Sequence, residues 1–322
     1  MYDLITIGVS TIDHFVKIHD ASVRCSLNKT NCMMCINYAD KIPADQYQST
    51  MGGNGANNAV GSVRLGLNNA IYTVYGKDTI GDMIENTFKT EGVNSEYLTQ
   101  DQNAGSDTAV VVTFQHERTI IVYHEKRDYA LPNLKPAKWV YYTSLMKGFE
   151  TIHPALINYL KQNQVKLAFN PGTHQLLAGK DRFKDLLVIT ELLIVNKEEA
   201  QRFLELNSTE IKELLLGLHN LGPKVAVITD GEHGSYSYDG MRYLFQPILD
   251  GTIVERTGCG DSYSTGIIAA LIHGGDIKDG MVWGTINGWS VVQKVGPQAG
   301  LLHKEEMEKL IKSHPNLRPK IF

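Results

Sequence analysis

The sequence lacks any surplus of basic charge. Its 31 lysines and arginines face 35 aspartates and glutamates, a formal net charge of −4. The broad positive field that nucleic acid or an anionic membrane surface requires is therefore missing, and neither is an expected partner. Long apolar runs are also missing. The best stretch, Leu186 to Val195, is interrupted by Thr190 and Glu191 and falls well short of the ~18 uncharged residues of a membrane helix. At the N-terminus no basic segment precedes an apolar one, and Asp3 stands where a signal peptide carries Lys or Arg, so nothing points to secretion. Cysteine is scarce as well. Cys25, Cys32, Cys35 and Cys259 are too few to scaffold 322 residues, and in an unexported protein they are expected to be reduced, in the cytoplasm. The Cys32-Met33-Met34-Cys35 spacing, with Cys25 upstream, has no complete set of four ligands and reads as small packed hydrophobes rather than a metal site.

What is present is an alternation. Short apolar, β-rich runs at 2–9, 69–76, 138–143, 165–170, 189–196 and 224–229 are separated by segments with helical spacing at 56–67, 79–91, 152–163, 197–221, 261–274 and 278–294. This pattern predicts an α/β fold: a three-layer, doubly wound, mostly parallel sheet with ligands bound beyond the carboxyl ends of its strands. Residues 13–50 hold no convincing helix, and 107–124 read as a hairpin bending at Gln115, His116 and Glu117. These two stretches predict a small antiparallel β lid spanning 13–50 and 107–129. The large α/β domain then comprises 1–12, 51–106 and 130–322. A second hairpin is expected to turn at Asp239-Gly240.

Candidate chemistry concentrates where strands give way to helices. Arg256-Thr257-Gly258-Cys259-Gly260-Asp261-Ser262 precedes an apolar helix. Its glycines admit close backbone approach, and the free amides at the helix start form an anion site. Asp261 is either an N-cap or a carboxylate that deprotonates an alcohol attacking a phosphoryl group held by those amides. Cys259, at the same helix start, is expected to have a lowered pKa. Gly52-Gly53-Asn54-Gly55-Ala56-Asn57 is either a capped glycine turn or a set of amides for ligand hydroxyls. Asn196 and Glu199, one turn apart, either form a capping box or face a water-bound cation. Thr229-Asp230-Gly231-Glu232-His233-Gly234 is either a plain loop or a backbone surface for a nucleotide. Asp13 ends the first strand or holds hydroxyls.

Other patterns fail. Gly76-Lys77 is followed by Asp78 and lacks the glycine of a phosphate-binding P-loop. Gly53-Asn54-Gly55 lacks the third glycine of a dinucleotide fingerprint. Gly260-Asp261-Ser262 with Asp230 and His233 mimics an esterase set, but in the reverse order, so Ser262 stays a distant nucleophile candidate.

Taken in order along the chain, these motifs resemble the ribokinase/PfkB carbohydrate kinases. Gly52 to Asn57 looks like that family's N-terminal signature and Thr257 to Asp261 its C-terminal one. Asn196 and Glu199 match its Asn-x-x-Glu element, and Thr229, Gly231 and Gly234 its nucleotide loop. The resemblance implies that Asp261 is the catalytic base and that the amides of Gly258, Cys259, Gly260 and Asp261 form the anion hole. It implies that Asp13, Gly53, Asn54 and Asn57 bind substrate hydroxyls. Asn196, Thr229, Gly231, Gly234 and Asn287 serve the nucleotide, with Asn287 near the adenine, and Glu199 serves Mg²⁺ through water. Glu255 replaces an Asp found at a monovalent-cation site, which argues against K⁺ dependence. Asn54 replaces a Lys common in ribokinases and sugar-phosphate kinases, and the loss of that charge argues against a phosphorylated acceptor and for a neutral one. The expected activity is ATP-dependent phosphorylation of a hydroxyl, primary by expectation, on a neutral sugar or polyol such as ribose or fructose, by a homodimer paired through its lid. Alternatives are an adenosine-like nucleoside kinase, with Tyr38, Tyr47 or Tyr129 stacking on the base, and a non-catalytic sugar or nucleotide sensor.

Overall fold

The computed structural model describes residues 1–26, 32–115 and 117–322. The bend residue His116 lies outside them.

The chain enters through β1 (Tyr2–Ile7) and leaves the main sheet at Gly8 to build β2 (Thr11–Ile18), the hairpin β3 (Ser22–Cys25) and β4 (Cys32–Cys35), and β5 (Ala44–Gly52). It returns through α1 (Asn54–Arg64), β6 (Asn69–Gly76), α2 (Thr79–Glu91) and β7 (Leu98–Asp101). A second excursion forms β8 (Thr108–Phe114) and β9 (Glu117–Tyr123). Then come β10 (Ala137–Tyr142), α3 (His153–Asn163), β11 (Lys166–Phe169), α4 (Thr173–Ala178), α5 (Lys184–Leu187) and β12 (Thr190–Asn196). The remainder is α6 (Lys197–Leu204), α7 (Ile211–Asn220), β13 (Val225–Thr229), β14 (Ser235–Tyr238), β15 (Tyr243–Gln246), α8 (Cys259–Ile272), α9 (Ile277–Val291), α10 (Lys304–Ser313) and β16 (Lys320–Ile321).

The large sheet has ten strands in the order β16-β15-β14-β13-β12-β11-β10-β1-β6-β7. It is parallel from β13 to β7 and antiparallel beyond β13. The period of two explains its burial on both faces. On β10, Val140 and Tyr142 pack with Phe169, Phe183 and Phe203, while Trp139 and Tyr141 pack with Ile267, Met281 and Ile286 on the opposite side. Strand order reverses at β1, where the chain builds first toward β6 and later toward β10. Such a switch point leaves a crevice at the strand carboxyl ends. Both arms of the smaller sheet spring from that crevice. The small sheet runs β5-β2-β8-β9, antiparallel at β5–β2 and β8–β9 and parallel at β2–β8.

Several expectations need correction. The stretch 197–221 is two helices, because Glu205 takes φ 57° and Ser208 accepts from Gln201 Nε2 through its carbonyl and from the Glu210 amide through its hydroxyl. Local side-chain bonds of this kind outcompete the helical ladder. Helices α4, α5 and α10 and the edge strands β7 and β16 lie outside the segments that the sequence pattern predicts. The cysteines are not all reduced: Cys25 and Cys32, opposed across the β3–β4 hairpin, form a disulfide, and Cys35 and Cys259 are free. Cys25 and Cys32 are exposed rather than packed. Among the described residues no helix is long and apolar enough to cross a membrane.

The small sheet is anchored to the large one by a buried cation. Arg127, 2% exposed, follows β9; its guanidinium donates to Asp107 just before β8, to Asp101 at the end of β7 and to the Gly105 carbonyl. Removing one partner of such a set strands buried charge. The variant Arg127→Met is therefore expected to lose roughly 3–5 kcal/mol of stability, read as a lowered urea midpoint.

Candidate active site

Helix α8 starts at Cys259 with Gly258 as its N-cap at φ 81°. A Cβ at Gly258 would lie 2.5 Å from Pro297 Cβ, so only glycine fits both the angle and the space. Asp261 occupies the third helical position, yet its carboxylate caps none of its own helix's amides. It accepts instead from Asn54 Nδ2 at 2.8 Å and Asn57 Nδ2 at 2.7 Å, which removes the N-cap reading. Those asparagines lie three residues apart at the start of α1 and so share a face. The helix is aimed by Gly53, at φ 89°, where a Cβ would meet the Val9 carbonyl at 2.6 Å. Asn57 in turn accepts from Gln298 Nε2 at 3.0 Å. Gln298 was missed in the sequence, since nothing local marks a lone glutamine 241 positions from its partner.

Asp13 lies on β2, buried, with Thr11 donating its hydroxyl to Oδ1 at 2.7 Å. Its carboxylate fills the space that a side chain at Gly52 would need. Burial pushes Asp13 above the usual carboxylate range; the Thr11 bond opposes this and the Asp261 charge adds to it. Asp261 is likewise raised by burial, with the two asparagine bonds opposing. Glu199 follows the same logic: raised by burial, lowered by the Asn196 amide, raised again by Asp261. Three carboxylates from three parts of the chain therefore share one field. Neither Asp13 nor Asp261 has a lysine or arginine hydrogen-bond or ion-pair partner among the described residues.

Beside them opens a cavity of about 610 Å³. Asn196, Thr229, Gly231, Gly234, Cys259 and Gly260 line it as the sequence suggested, joined by Arg118, Arg256, Thr285 and Trp289. A Cβ on Gly260 would meet nothing within 4 Å, so its backbone is open to a ligand. Asn196 and Glu199 do form a capping box, Asn196 Oδ1 accepting from the Glu199 amide and Glu199 Oε2 from the Asn196 amide. Glu199 Oε1 has no hydrogen bond among the described residues.

Other expected contributors turn elsewhere. Asn287 is fully buried, donates to the Ser262 carbonyl and accepts from the Leu302 amide; it ties α8 to α9 and does not line the cavity, whereas its neighbours Thr285, Gly288 and Trp289 do. The Cys259 thiol is raised, not lowered, because burial and the Asp261 charge outweigh Arg256 and Arg118. Ser262 is buried and donates to the Cys259 carbonyl, which leaves the esterase reading without an accessible nucleophile. Tyr38 and Tyr47 are exposed, and Tyr129 is buried in the core of the large domain, so none of the three lines the cavity.

Because Asp13, Glu199 and Asp261 are each easier to protonate folded than unfolded, their contribution favours the fold at acid pH. It is lost as pH rises through their raised values. Asp261→Asn is therefore expected to melt above the wild type at pH 8, with the gap closing as pH falls toward 4, by differential scanning calorimetry.

The sequence pattern of the pfkB family carbohydrate kinases matches residues 13–304. The chain is 26% identical over 280 residues to the ribokinase of Bacillus subtilis, covering 84% of this chain and 91% of that one. Among solved structures, the nucleoside kinase of Methanocaldococcus jannaschii superposes with TM-score 0.79 at 21% identity, covering 97% and 99% of the two chains. The ribokinase of Arabidopsis thaliana, complexed with ribose and ATP, superposes with TM-score 0.79 at 20% identity over 97% and 99%. With the match spanning nearly the whole chain and the fold shared end to end, this protein belongs to the pfkB family of carbohydrate kinases.

Proposed function

We propose that the protein transfers the γ-phosphoryl group of ATP to a hydroxyl, primary in our reading, of a neutral sugar or polyol of the ribose or fructose kind. The observation that carries this is the posture of Asp261. A buried carboxylate held by two amides, with its pKa raised and open helix-start backbone beside it, is arranged to take a proton from an alcohol as that alcohol attacks. The amides of Gly258, Cys259, Gly260 and Asp261 then face the charge that develops on the phosphoryl oxygens. Asp13 and Gly53, with the free capacity of Asn54 and Asn57, hold acceptor hydroxyls. Thr229, Gly231, Gly234 and Asn196 carry the nucleotide in the cavity they line.

Charge divides between the two sides. The acceptor side offers Asp13 and Asp261 without a cationic partner, whereas Arg118 and Arg256 line the donor side. A phosphorylated acceptor would meet carboxylates without a counter-charge, so a neutral one is favoured. Glu199, half-buried and with one carboxylate oxygen unpartnered among the described residues, fits a cation held through water alongside Asn196. Glu199 and Asn196 would hold Mg²⁺ there through water, and the ion would supply charge neutralisation at the donor phosphates. No K⁺ requirement enters the reading. The 13–50 and 107–129 segments serve as a lid that excludes water. The likeness to a nucleoside kinase structure keeps nucleosides as the second acceptor class.

ADP release in the presence of ATP and Mg²⁺ across ribose, fructose, other hexoses, keto-deoxy sugar acids, nucleosides and fructose 6-phosphate tests the reading. A signal dependent on one neutral sugar, reduced ~10²–10⁴-fold by Asp261→Asn, is the expected result. Its kcat/KM is expected to fall on the acid side with an inflection above the ordinary carboxylate range. A signal confined to nucleosides moves the acceptor to the second class. Turnover unchanged in Asp261→Asn removes the base.

The lid also carries the proposed dimer contact. Strand β9 is the edge of the small sheet, and Ile120, Ile121, Val122 and Tyr123 on it are all exposed. Edges of this kind pair or aggregate unless covered, and a second copy of the lid covers it. Sedimentation is expected to find twice the 35.8 kDa chain mass, reverting to one chain in Ile121→Lys.

A further inference from the structure

Arg118 sits apart from the motifs. It is carried by β9 of the small sheet, yet it lines the donor cavity beside Cys259 and Gly260. Among the described residues its one ion pair runs through Nε to Glu255 Oε1 at 3.5 Å. That same oxygen accepts from the amide and hydroxyl of Thr257, at the threshold of the Gly258 to Asp261 amides. The contact is long and engages one nitrogen, not the two-pronged grip that makes guanidinium–carboxylate pairs strong. Neither Nη group of Arg118 has a hydrogen-bond partner among the described residues. The guanidinium is near enough for its charge to bear on the Cys259 thiol at the first position of α8. A planar cation with free donors therefore stands over the anion-binding backbone, on an element that belongs to the lid.

From this geometry we infer that Arg118 is a catalytic residue: on lid closure its Nη groups leave the neighbourhood of Glu255 and bind the equatorial oxygens of the transferring phosphoryl group. The inference rests on the kinase reading above and adds a residue to it. The chemistry is that of phosphoryl transfer. The bond from the γ-phosphorus to the bridging oxygen of ATP breaks, the bond to the acceptor oxygen forms, and the acceptor proton goes to Asp261. Charge spread over the three equatorial oxygens is stabilised by donors that surround it. The backbone amides approach from the large domain, and Arg118 completes the ring from the lid. Glu255 is then a resting partner, holding the guanidinium loosely while the donor site is empty. Because the cation arrives with the lid, transfer to water before closure lacks it.

The test uses the full chain with Arg118→Gln and Arg118→Lys, in the wild-type background and in Glu255→Gln. Titration calorimetry with ADP, and with ADP plus aluminium fluoride as a planar mimic of the transferring group, reads the contact without needing an acceptor. ADP affinity is expected to stay within about threefold, which also certifies the fold. The extra affinity for the fluoride complex is expected to fall by about a hundredfold in Arg118→Gln, the scale of losing one preorganised oxyanion donor. With the acceptor identified by the panel, kcat is expected to fall by a similar factor with KM for ATP little changed, and Arg118→Lys, which keeps the charge but not the planar fork, is expected to retain more turnover than Arg118→Gln. The loss is expected to persist in Glu255→Gln. Equal fluoride-complex affinity in wild type and Arg118→Gln overturns the inference while leaving the kinase reading intact. A loss that vanishes in Glu255→Gln overturns it too, since Arg118 then acts only by positioning the Thr257 turn. Wild-type protein that binds neither ADP nor the complex overturns both readings.

Discussion

The hydrogen bonds from Asn54 and Asn57 to Asp261 are the constraint on which the site depends. They join helix starts 207 and 204 residues apart and turn the carboxylate away from its own helix toward α1. Neutral amides are a weak answer to a buried charge, because they satisfy lone pairs without cancelling the field. The carboxylate is left easier to protonate than usual, and it is a better base for that reason. An arginine in place of either asparagine would settle the charge and quench the basicity.

The same constraint explains where the positive charge lies. Cations near Asp261 or Asp13 would pull those groups back toward ordinary acidity. Arg118 and Arg256 line the neighbouring cavity instead, and Arg127 is committed to the root of the small sheet. There it meets Asp101, Asp107 and the Gly105 carbonyl, so the small sheet is tied down at its root while its far edge, β9, stays uncovered. A sheet anchored at one end by a buried ion set and open at the other suits a part that swings.

Much of this was legible in the chain. Apolar runs such as Leu192 to Val195 alternate with helical segments, and that pattern alone implies a doubly wound parallel sheet with loops at its carboxyl edge. Gly53 and Gly258 announced themselves because positive φ and close backbone approach leave no other residue. The Asp239-Gly240 turn read correctly for the same local reason. Failures came where the decisive partner is remote. The partition of 197–221 depended on a bond from Gln201 to Ser208 that competes with the helix. The Cys25–Cys32 disulfide depended on hairpin register, and Asn287 on a loop that returns at Leu302. Arg127 carries no mark in the sequence, because its partners Asp101, Gly105 and Asp107 meet it only in the fold.

By itself the sequence determined the fold class and the order of its motifs, because periodicity and glycine stereochemistry are local properties. Only the tertiary structure decided what each side chain does there. It turned Asp261 away from its own helix toward α1, raised rather than lowered the Cys259 thiol, and delivered Arg118 from a distant strand to the donor cavity. Burial and electrostatic fields are sums over neighbours in space, and no spacing along the chain encodes those neighbours until it has folded.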